Sequence, residues 1–350
     1  MASTWRRTAT FSAAIFTVVF ASDAVAHVKW FAPYDLSLPP RPIGEVITPA
    51  FIYMFLLSTA CIYAFYWIDR FLYRRHFLSE TLGKLVISQE AAYLIMRIAA
   101  SLLFLSLFAF ALTDATVFLT PELSTDNAIV KWIHLALAAA VWFRLTVPIA
   151  GAGIFLLYGL AIEKYGVFHM LDYLIFPGMG VYFILADFKA PIWVQSRYVT
   201  LYATTGLTLL WGSIEKWAYP SWTYPLLSSD PSLLMGMSPE FYMVLAGFVE
   251  FNVVFILLSS ASIFSRFIAL GLNALFILAI FKFGMIDAIG HLVIMAVLVI
   301  MTARGPTSAR YFLVLSDKSL WTEAYFMTGL YMLALNVVFI SYYGLYFLLR

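Results

Sequence analysis

Long apolar stretches, separated by short polar or basic segments, follow one another along most of the 350-residue chain. Each is close to the length of roughly 20 residues that a helix needs to cross a bilayer. Because lipid offers the backbone no hydrogen-bond partners, such stretches cross a membrane as α-helices. The pattern predicts about ten membrane helices, at 48–68, 91–113, 128–147, 148–163, 168–187, 198–215, 240–262, 266–285, 287–304 and 324–348.

The composition supports a polytopic all-α membrane protein whose main partner is the lipid bilayer. Hydrophobic residues make up 63% of the chain and charged residues 11%, whereas soluble domains carry about 25% charged residues. No basic run with interleaved aromatic residues points to nucleic acid, so we expect no nucleic-acid partner. Cys61 is the only cysteine, which excludes an intrachain disulfide or a paired-thiol redox centre.

The first residues have the pattern of a secretory signal peptide. Arg6 and Arg7 precede a short apolar run, and a small-x-small site ends at Ala26. We predict that residues 1–26 are cleaved, so that His27 becomes the mature N-terminus outside the cytoplasm. An uncleaved anchor is the alternative, although the run is short for a membrane span.

Residues 27–47 are predicted to form an extracytoplasmic strap. Proline lacks a backbone N–H and disfavours helix before it, so a regular helix is excluded there. The strap contains Pro33, Pro39, Pro40 and Pro42.

Charge along the connections predicts the orientation. Positively charged residues concentrate on cytoplasmic loops of membrane proteins. The connections predicted to be cytoplasmic carry Arg70, Arg74, Arg75, Lys84, Arg144, Lys189, Arg197, Arg266, Arg304, Arg310 and Lys318. The outer connections carry Asp114, Glu122, Asp126 and Asp230. We expect a multi-pass protein of a bacterial-type inner (cytoplasmic) membrane with an extracytoplasmic N-terminus.

Two similar segments indicate an internal repeat. "EKYGVFHMLDYLIF" at 163–176 aligns with "FKFGMIDAIGHLVI" at 281–294, which pairs Gly166 with Gly284, His169 with Asp287 and Tyr173 with His291. The alignment predicts tandem four-helix units at 91–190 and 191–305 in the same orientation. Residues 48–90 would add a first helix and a basic cytoplasmic loop, and 306–350 a cytoplasmic loop and a last helix. Chance similarity between apolar segments is the alternative.

The second unit resembles the DoxX/DoxD-like family of four-helix membrane proteins. The resemblance rests on "GSIEKWAYPSW" (212–222), "GFVEFNVVFILL" (247–258), "SRFIALGLNALF" (265–276) and "DAIGHLVIMAVLVIM" (287–301). It covers 197–305 and, more faintly, 91–190. It implies a role in quinone-linked oxidation of sulfur compounds or in another membrane redox complex, with redox partner subunits.

Several ionisable residues lie within or beside the apolar runs. An ionised group at mid-bilayer costs at least about 2.5–3.5 kcal/mol, so such residues are functional candidates. Glu250 is expected to face the bundle interior as a candidate proton relay or quinone partner, and a structural hydrogen bond or buried pair with Asn273 or Lys282 is the alternative. Asp287 and His291, four residues apart on one helix face, can meet. We take Glu250, Asp287 and His291 as candidate catalytic residues, and Glu215, Lys216 and Asn273 as candidate cofactor-binding residues.

A mature N-terminal histidine also suggests a metal site. Its amino group and imidazole can chelate one ion, and imidazole suits copper. This is similar to the copper histidine brace, by the terminus only. The candidate metal ligands are His27, His134, His169, Asp172 and His291. Two facing histidines would suit haem as well, but no haem-attachment cysteines occur.

Three functions follow from these patterns. The first is a DoxX-like membrane subunit of a quinone-linked oxidoreductase system, with a polar site near the extracytoplasmic face. The second is a copper-binding or copper-transporting protein that uses His27. The third is a non-catalytic membrane assembly factor.

Overall fold

The structure is a computed structural model that describes residues 28–32, 34–305, 307 and 312–349. The predicted signal peptide and His27 lie outside the described residues. Helices and their connections make up this part of the chain, with an isolated bridge between Val117 and Ser124 and no strand among the described residues.

The longer helices follow the apolar runs of the sequence. Those of ten residues or more are α1 (Pro49–Arg74), α2 (Gln89–Thr113), α3 (Ile129–Ala140), α4 (Val147–Tyr165), α5 (Ile175–Ile184), α6 (Pro191–Ala218), α7 (Pro220–Ser229), α8 (Pro239–Ser259), α9 (Phe264–Phe283), α10 (Met285–Arg304) and α11 (Leu320–Leu349). Shorter helical turns cover Val28–Trp30, Ile43–Val46, Ser79–Lys84, Val167–Met170, Leu171–Tyr173 and Pro231–Leu234.

Within the described residues, seven helices are long and apolar enough to cross a membrane: α1, α2, α4, α8, α9, α10 and α11. The bent segment Val167–Ile184 would be an eighth if it forms one span. The chain is therefore a membrane protein with several spans. α3 has 12 residues and is too short alone to cross a ~30 Å core, and α6 is longer but more polar. The sequence count of about ten spans stays a prediction.

The prediction of one continuous helix at 168–187 is wrong, because the structure breaks this segment near its middle. The chain forms Val167–Met170, a 3₁₀ turn at Leu171–Tyr173 and then α5, with a bend of 65°. Pro177 lies in the first turn of α5, where its missing N–H is tolerated. Farther inside a helix this proline would remove a backbone hydrogen bond, so the helix restarts just before it.

The helices of the two predicted units pair in a similar way. In the first, α2 packs on α3 and α4 on α5; in the second, α6 packs on α8 and α9 on α10. α5 contacts α6, and α10 contacts α2, so the two sets form one bundle. The first and last long helices, α1 and α11, pack against each other beside it.

The two glycines that align in the sequence have the same structural role. Gly166, between α4 and Val167–Met170, has φ 81°, and Gly284, between α9 and α10, has φ 78°. Side chains disfavour this left-handed backbone region, whereas glycine adopts it readily. Each glycine therefore closes a tight turn from which the next helical segment starts at the same end of the bundle.

A buried ion-pair network at the opposite end joins α1 to α11 and to the α8–α9 connection. Asp69 accepts hydrogen bonds from the hydroxyl groups of Ser260 and Ser262, at 2.5 and 2.6 Å. Arg70 lies 2.6 Å from the Asp69 carboxylate, and its Nε lies 3.8 Å from Glu323. Asp69, Arg70 and Glu323 are all at most 1% exposed.

Removal of Arg70 should strongly destabilise the protein. Arg70→Met leaves Asp69 and Glu323 buried with less compensating charge, and loss of one partner of a buried pair costs about 3–5 kcal/mol. Thermal unfolding in detergent should show a clearly lower midpoint for this variant. Arg75→Met is the matched control because Arg75 is exposed and lies over the ring of Phe71; equal midpoints for the two variants would contradict the prediction.

Candidate functional site

The strap runs across the end of the bundle where the two glycine turns lie. The ring of Tyr34 packs against Trp222, with centroids 5.1 Å apart. Farther along, the Arg41 guanidinium donates two hydrogen bonds of 2.9 Å to the Glu240 carboxylate, and its backbone N–H donates to the Ala218 carbonyl at 2.8 Å. Side-chain and backbone contacts therefore fix the strap on the bundle.

Lys29 points from the strap into the bundle and binds two carboxylates. Its Nζ lies 2.5 Å from Asp172 Oδ2 and 2.8 Å from Glu215 Oε2. The Lys29 and Asp172 side chains are each 1% exposed and that of Glu215 is 16% exposed. The rings of Tyr173 and Trp222 lie within 6 Å of the ammonium group, at 5.7 and 5.5 Å from Nζ to centroid. The strap is therefore joined to the turn before α5 and to the end of α6 by one buried cation.

The electrostatic surroundings keep Lys29 protonated. Burial alone lowers a lysine pKa, but the carboxylates of Asp172, Glu215 and Glu122 together hold the pKa of Lys29 well above its ordinary value of 10.5. Because the folded-state pKa is raised, the ion pairs stabilise the protein throughout the neutral range, and this stabilisation is lost only at more alkaline pH.

Glu122, from the α2–α3 connection, lies beside this cation and meets an imidazole and a phenol. His169 Nε2 is 3.3 Å from Glu122 Oε1, and the Tyr173 hydroxyl donates to the same carboxylate. The Tyr34 hydroxyl lies 3.4 Å from His169 Nε2. Burial and then the Glu122 carboxylate raise the pKa of Tyr34 well above its ordinary value. We call Lys29, Tyr34, Glu122, His169, Asp172, Tyr173 and Glu215 the Lys29 cluster.

The charge of this cluster favours a retained proton. Among the described residues, its three carboxyl groups, Glu122, Asp172 and Glu215, face one ammonium group. Like charges at close range in a poorly hydrated site disfavour full ionisation, so a proton held on one of the three carboxyl groups lowers the electrostatic energy. The cluster is thus an arrangement of acids and a base that can accept and release protons.

The next residue of the strap, Trp30, covers a second buried pair. Asp287 Oδ1 lies 3.1 Å from His291 Nδ1, and Phe276 stacks on the imidazole with centroids 4.3 Å apart. The Trp30 ring lies edge-on to His291 at 4.8 Å. It also packs so closely on Gly290 that a Cβ there would lie 2.0 Å from the ring. Lys29 and Trp30 therefore contact the two aligned segments of the predicted units, 163–176 and 281–294.

The candidate catalytic and cofactor-binding residues other than Glu215 lie outside the Lys29 cluster, and each has other partners. Glu250, expected to face the interior, has a side chain that is 34% exposed and pairs at 2.7 Å with Lys216. The alternative prediction, a pair of Glu250 with Asn273 or Lys282, is wrong. Asn273 donates to the Met295 carbonyl at 3.2 Å, and Lys282 pairs with Asp230 at 2.9 Å. Of the six candidate catalytic and cofactor-binding residues, Glu215 is the one that belongs to the Lys29 cluster.

The candidate metal ligands do not share one centre in the described part of the chain. His134 Nε2 lies 2.7 Å from the Phe118 carbonyl, whereas His169 contacts Glu122 and His291 contacts Asp287. No group of three or more His, Cys, Asp or Glu side chains with metal-ligand geometry occurs among the described residues. His169 and Asp172 do lie in one cluster, but each has a different partner in it.

Sequence reasoning missed four residues of the cluster: Lys29, Tyr34, Glu122 and Tyr173. The first three lie outside the apolar runs, in the strap and in an outer loop. A signal was available for Lys29, since it is the one basic residue in an aromatic segment just after the predicted cleavage site. Nothing in the sequence pairs it with Asp172, which is 143 positions away.

No protein-family model, no curated protein and no solved structure matches this chain. The similarity to DoxX/DoxD-like proteins therefore remains a resemblance of sequence motifs.

Replacement of Lys29 should destabilise the protein more than replacement of either single carboxylate partner. Lys29→Met leaves Asp172 and Glu215 close together without their cation, a loss of about 3–5 kcal/mol, whereas Glu215→Gln retains the Lys29–Asp172 pair. Thermal unfolding in detergent measures the order. Lys131→Met, which removes a lysine that lies over Trp132, is the control, and a Lys29→Met midpoint equal to that of the control would refute the role.

A side chain at position 290 should detach Trp30. Gly290→Ala places a methyl group where the indole ring lies, so we expect the strap to lift and trypsin to cut after Lys29 at least about tenfold faster, which corresponds to a loss of about 1.4 kcal/mol in local stability. Gly329→Ala is the control because no atom lies within 4 Å of a Cβ there. Intact-mass analysis of a tryptic time course follows the cut, and equal rates in both variants would contradict the packing.

Proposed function

We propose that the protein is a quinone-linked membrane redox subunit in which the Lys29 cluster exchanges protons with a quinone or quinol. The observation that carries the proposal is the burial of three carboxyl groups with one ammonium group, one imidazole and two phenols at one end of the bundle. Reduction of a quinone to a quinol takes up two electrons and two protons. The cluster supplies the proton-exchanging groups, and redox partner subunits supply or take the electrons.

The chemistry of the cluster suits a quinone ring. Quinone carbonyls accept hydrogen bonds and quinol hydroxyl groups donate them, and the cluster offers both donors and acceptors. Tyr219 and Trp222 stack with centroids 4.1 Å apart beside Tyr34. Such aromatic surfaces favour a flat conjugated ring and exclude water, which strengthens hydrogen bonds to it.

The proposal includes the topology expected from the sequence. About ten spans in two tandem DoxX-like units would place the Lys29 cluster at the extracytoplasmic face of a bacterial-type inner membrane. The distribution of charge supports this orientation, since Arg97, Arg144, Arg197, Arg266 and Arg304 lie at the other end of the helices, the side where positive charge accumulates in membrane proteins.

Quinone binding tests the proposal. In purified full-length protein, Glu122→Gln and His169→Gln should each weaken binding of a short-chain benzoquinone by about 5- to 150-fold, the effect of losing one buried hydrogen bond of about 1–3 kcal/mol. Glu250→Gln is the matched control because Glu250 pairs with Lys216 instead. Quenching of tryptophan fluorescence measures the affinity, and co-purified quinone is quantified in parallel. Unchanged affinity in both cluster variants would refute the proposal.

One observation favours copper binding as a second candidate function. Lys29, two positions after His27, is fixed in the cluster that contains His169. A mature N-terminus at His27 would lie two positions before Lys29 in the chain. The cluster that holds Lys29 contains an imidazole and several carboxylates, and copper binds such ligands well.

Copper analysis separates this candidate from the first. The cleaved protein should bind one equivalent of Cu(II), and a variant with one residue inserted before His27 should lose it, because the terminal amino group then belongs to another residue. Equal copper content in both would remove the histidine brace. Protein that binds neither quinone nor copper and tolerates all these substitutions would fit the non-catalytic assembly role.

A further inference from the structure

An open cavity lies at the end of the bundle opposite the Lys29 cluster. Its volume is about 550 Å³. It is formed by the start of α2, the α3–α4 and α5–α6 connections, the start of α6 and the end of α10. No residue of the Lys29 cluster lines it, so it is separate from the proposed proton-exchange site.

The cavity wall is strongly basic. Four cationic side chains and one carboxylate line it: Arg144, Lys189, Arg197, Arg304 and Glu90. Arg144 pairs with Asp187 at 2.7 Å, but the two side chains are 61% and 37% exposed, and solvent-exposed pairs contribute little. The remaining excess of positive charge favours an anionic ligand.

Arg197 provides a fixed donor inside this cavity. Its residue is 4% exposed, its Nη1 donates to the Ala186 carbonyl at 2.9 Å, and its Nη2 donates weakly to Gln89 Oε1 at 3.4 Å. Its Nε has no hydrogen-bond partner among the described residues. The guanidinium also lies over the rings of Tyr182 and Tyr198, 5.6 and 5.2 Å from their centroids, so this group is held rigidly and keeps one unused donor that an anionic ligand would satisfy.

Arg304 is held at the same wall by different contacts. Its Nη1 donates to the Ile87 carbonyl at 3.0 Å, and its guanidinium lies over the Tyr198 ring, 4.5 Å from the centroid. Fixed guanidinium groups bind phosphate oxygens with well-defined geometry.

The rim of the cavity is apolar and exposed on one side. Phe188, which is 49% exposed, lines the cavity at the α5–α6 connection, and its ring packs against that of Trp193, which is 44% exposed, with centroids 5.7 Å apart. In a membrane protein such side chains face lipid, and tryptophan marks the interface between hydrocarbon and headgroups. The cavity therefore opens where the headgroup and the acyl chains of a phospholipid meet.

We propose that this cavity binds an anionic phospholipid. Arg197 and Arg304 hold the phosphate, Arg144 and Lys189 add positive charge at the opening, and the acyl chains lie along Phe188 and Trp193. A phosphate group alone would satisfy the arginines, but it would not cover the apolar rim. Basic pockets between membrane helices are suited to anionic headgroups for the same reason.

Native mass spectrometry of the purified full-length protein with added phosphatidylglycerol tests the proposal, with phosphatidylcholine as the neutral lipid. Arg197→Gln should reduce phosphatidylglycerol binding at least about fivefold, the effect of one basic residue near a headgroup. Because Arg197 also contacts the protein, the double variant Arg144→Gln/Lys189→Gln, at exposed positions, provides a second test. Arg75→Gln, which removes a positive charge outside this cavity, is the control and should bind like the wild type.

The outcomes distinguish the sources of phosphate. Selective phosphatidylglycerol binding that falls in both cavity variants and not in the control supports the proposal. Equal binding in all variants overturns it. Inorganic phosphate that displaces phosphatidylglycerol at millimolar concentration also overturns it, in favour of a free-anion site. None of these results depends on quinone binding.

Discussion

The buried ammonium group of Lys29, held between the carboxylates of Asp172 and Glu215, is the interaction on which the organisation of this end of the molecule depends. Asp172 belongs to the turn before α5 and Glu215 to the end of α6, so one cation from the strap joins two helices of different predicted units. Without this cation, the carboxyl groups of Glu122, Asp172 and Glu215 would lie close together in a poorly hydrated site. Trp30, the next residue, extends the same connection to α10 through Gly290 and His291.

The two ends of the bundle handle charge in different ways. At the strap end, charged groups are covered by aromatic rings, and Lys29 offsets part of the negative charge of three carboxyl groups inside the protein. At the other end, Asp69, Arg70 and Glu323 form a compact buried network, but further arginines line an open cavity. A covered acidic cluster suits proton exchange with a bound small molecule, whereas an open basic surface suits the anionic side of a membrane.

The sequence predicts the helices well because burial in lipid requires apolar stretches of a fixed length. The run expected at 240–262, for example, is the helix Pro239–Ser259. The sequence predicts the site less well, because ion pairs between residues far apart in the chain depend on how the helices pack. Glu250 looked like an interior residue from its place in an apolar run, but the helix turns it toward Lys216. The bend before Pro177 was missed because hydropathy does not register a local break, although the proline itself was a usable signal.

The distance along the chain between Lys29 and its partners has a consequence for biosynthesis. Asp172 and Glu215 follow Lys29 by 143 and 186 positions. At about 5–20 residues per second, the ribosome needs roughly 10–40 s to reach Glu215 after Lys29. During this interval the emerging strap has neither carboxylate to bind, while helices as far as α5 are already being made. The N-terminal segment is therefore among the last parts of the bundle to pack in place. Its docking requires that α1 to α6 have already been made.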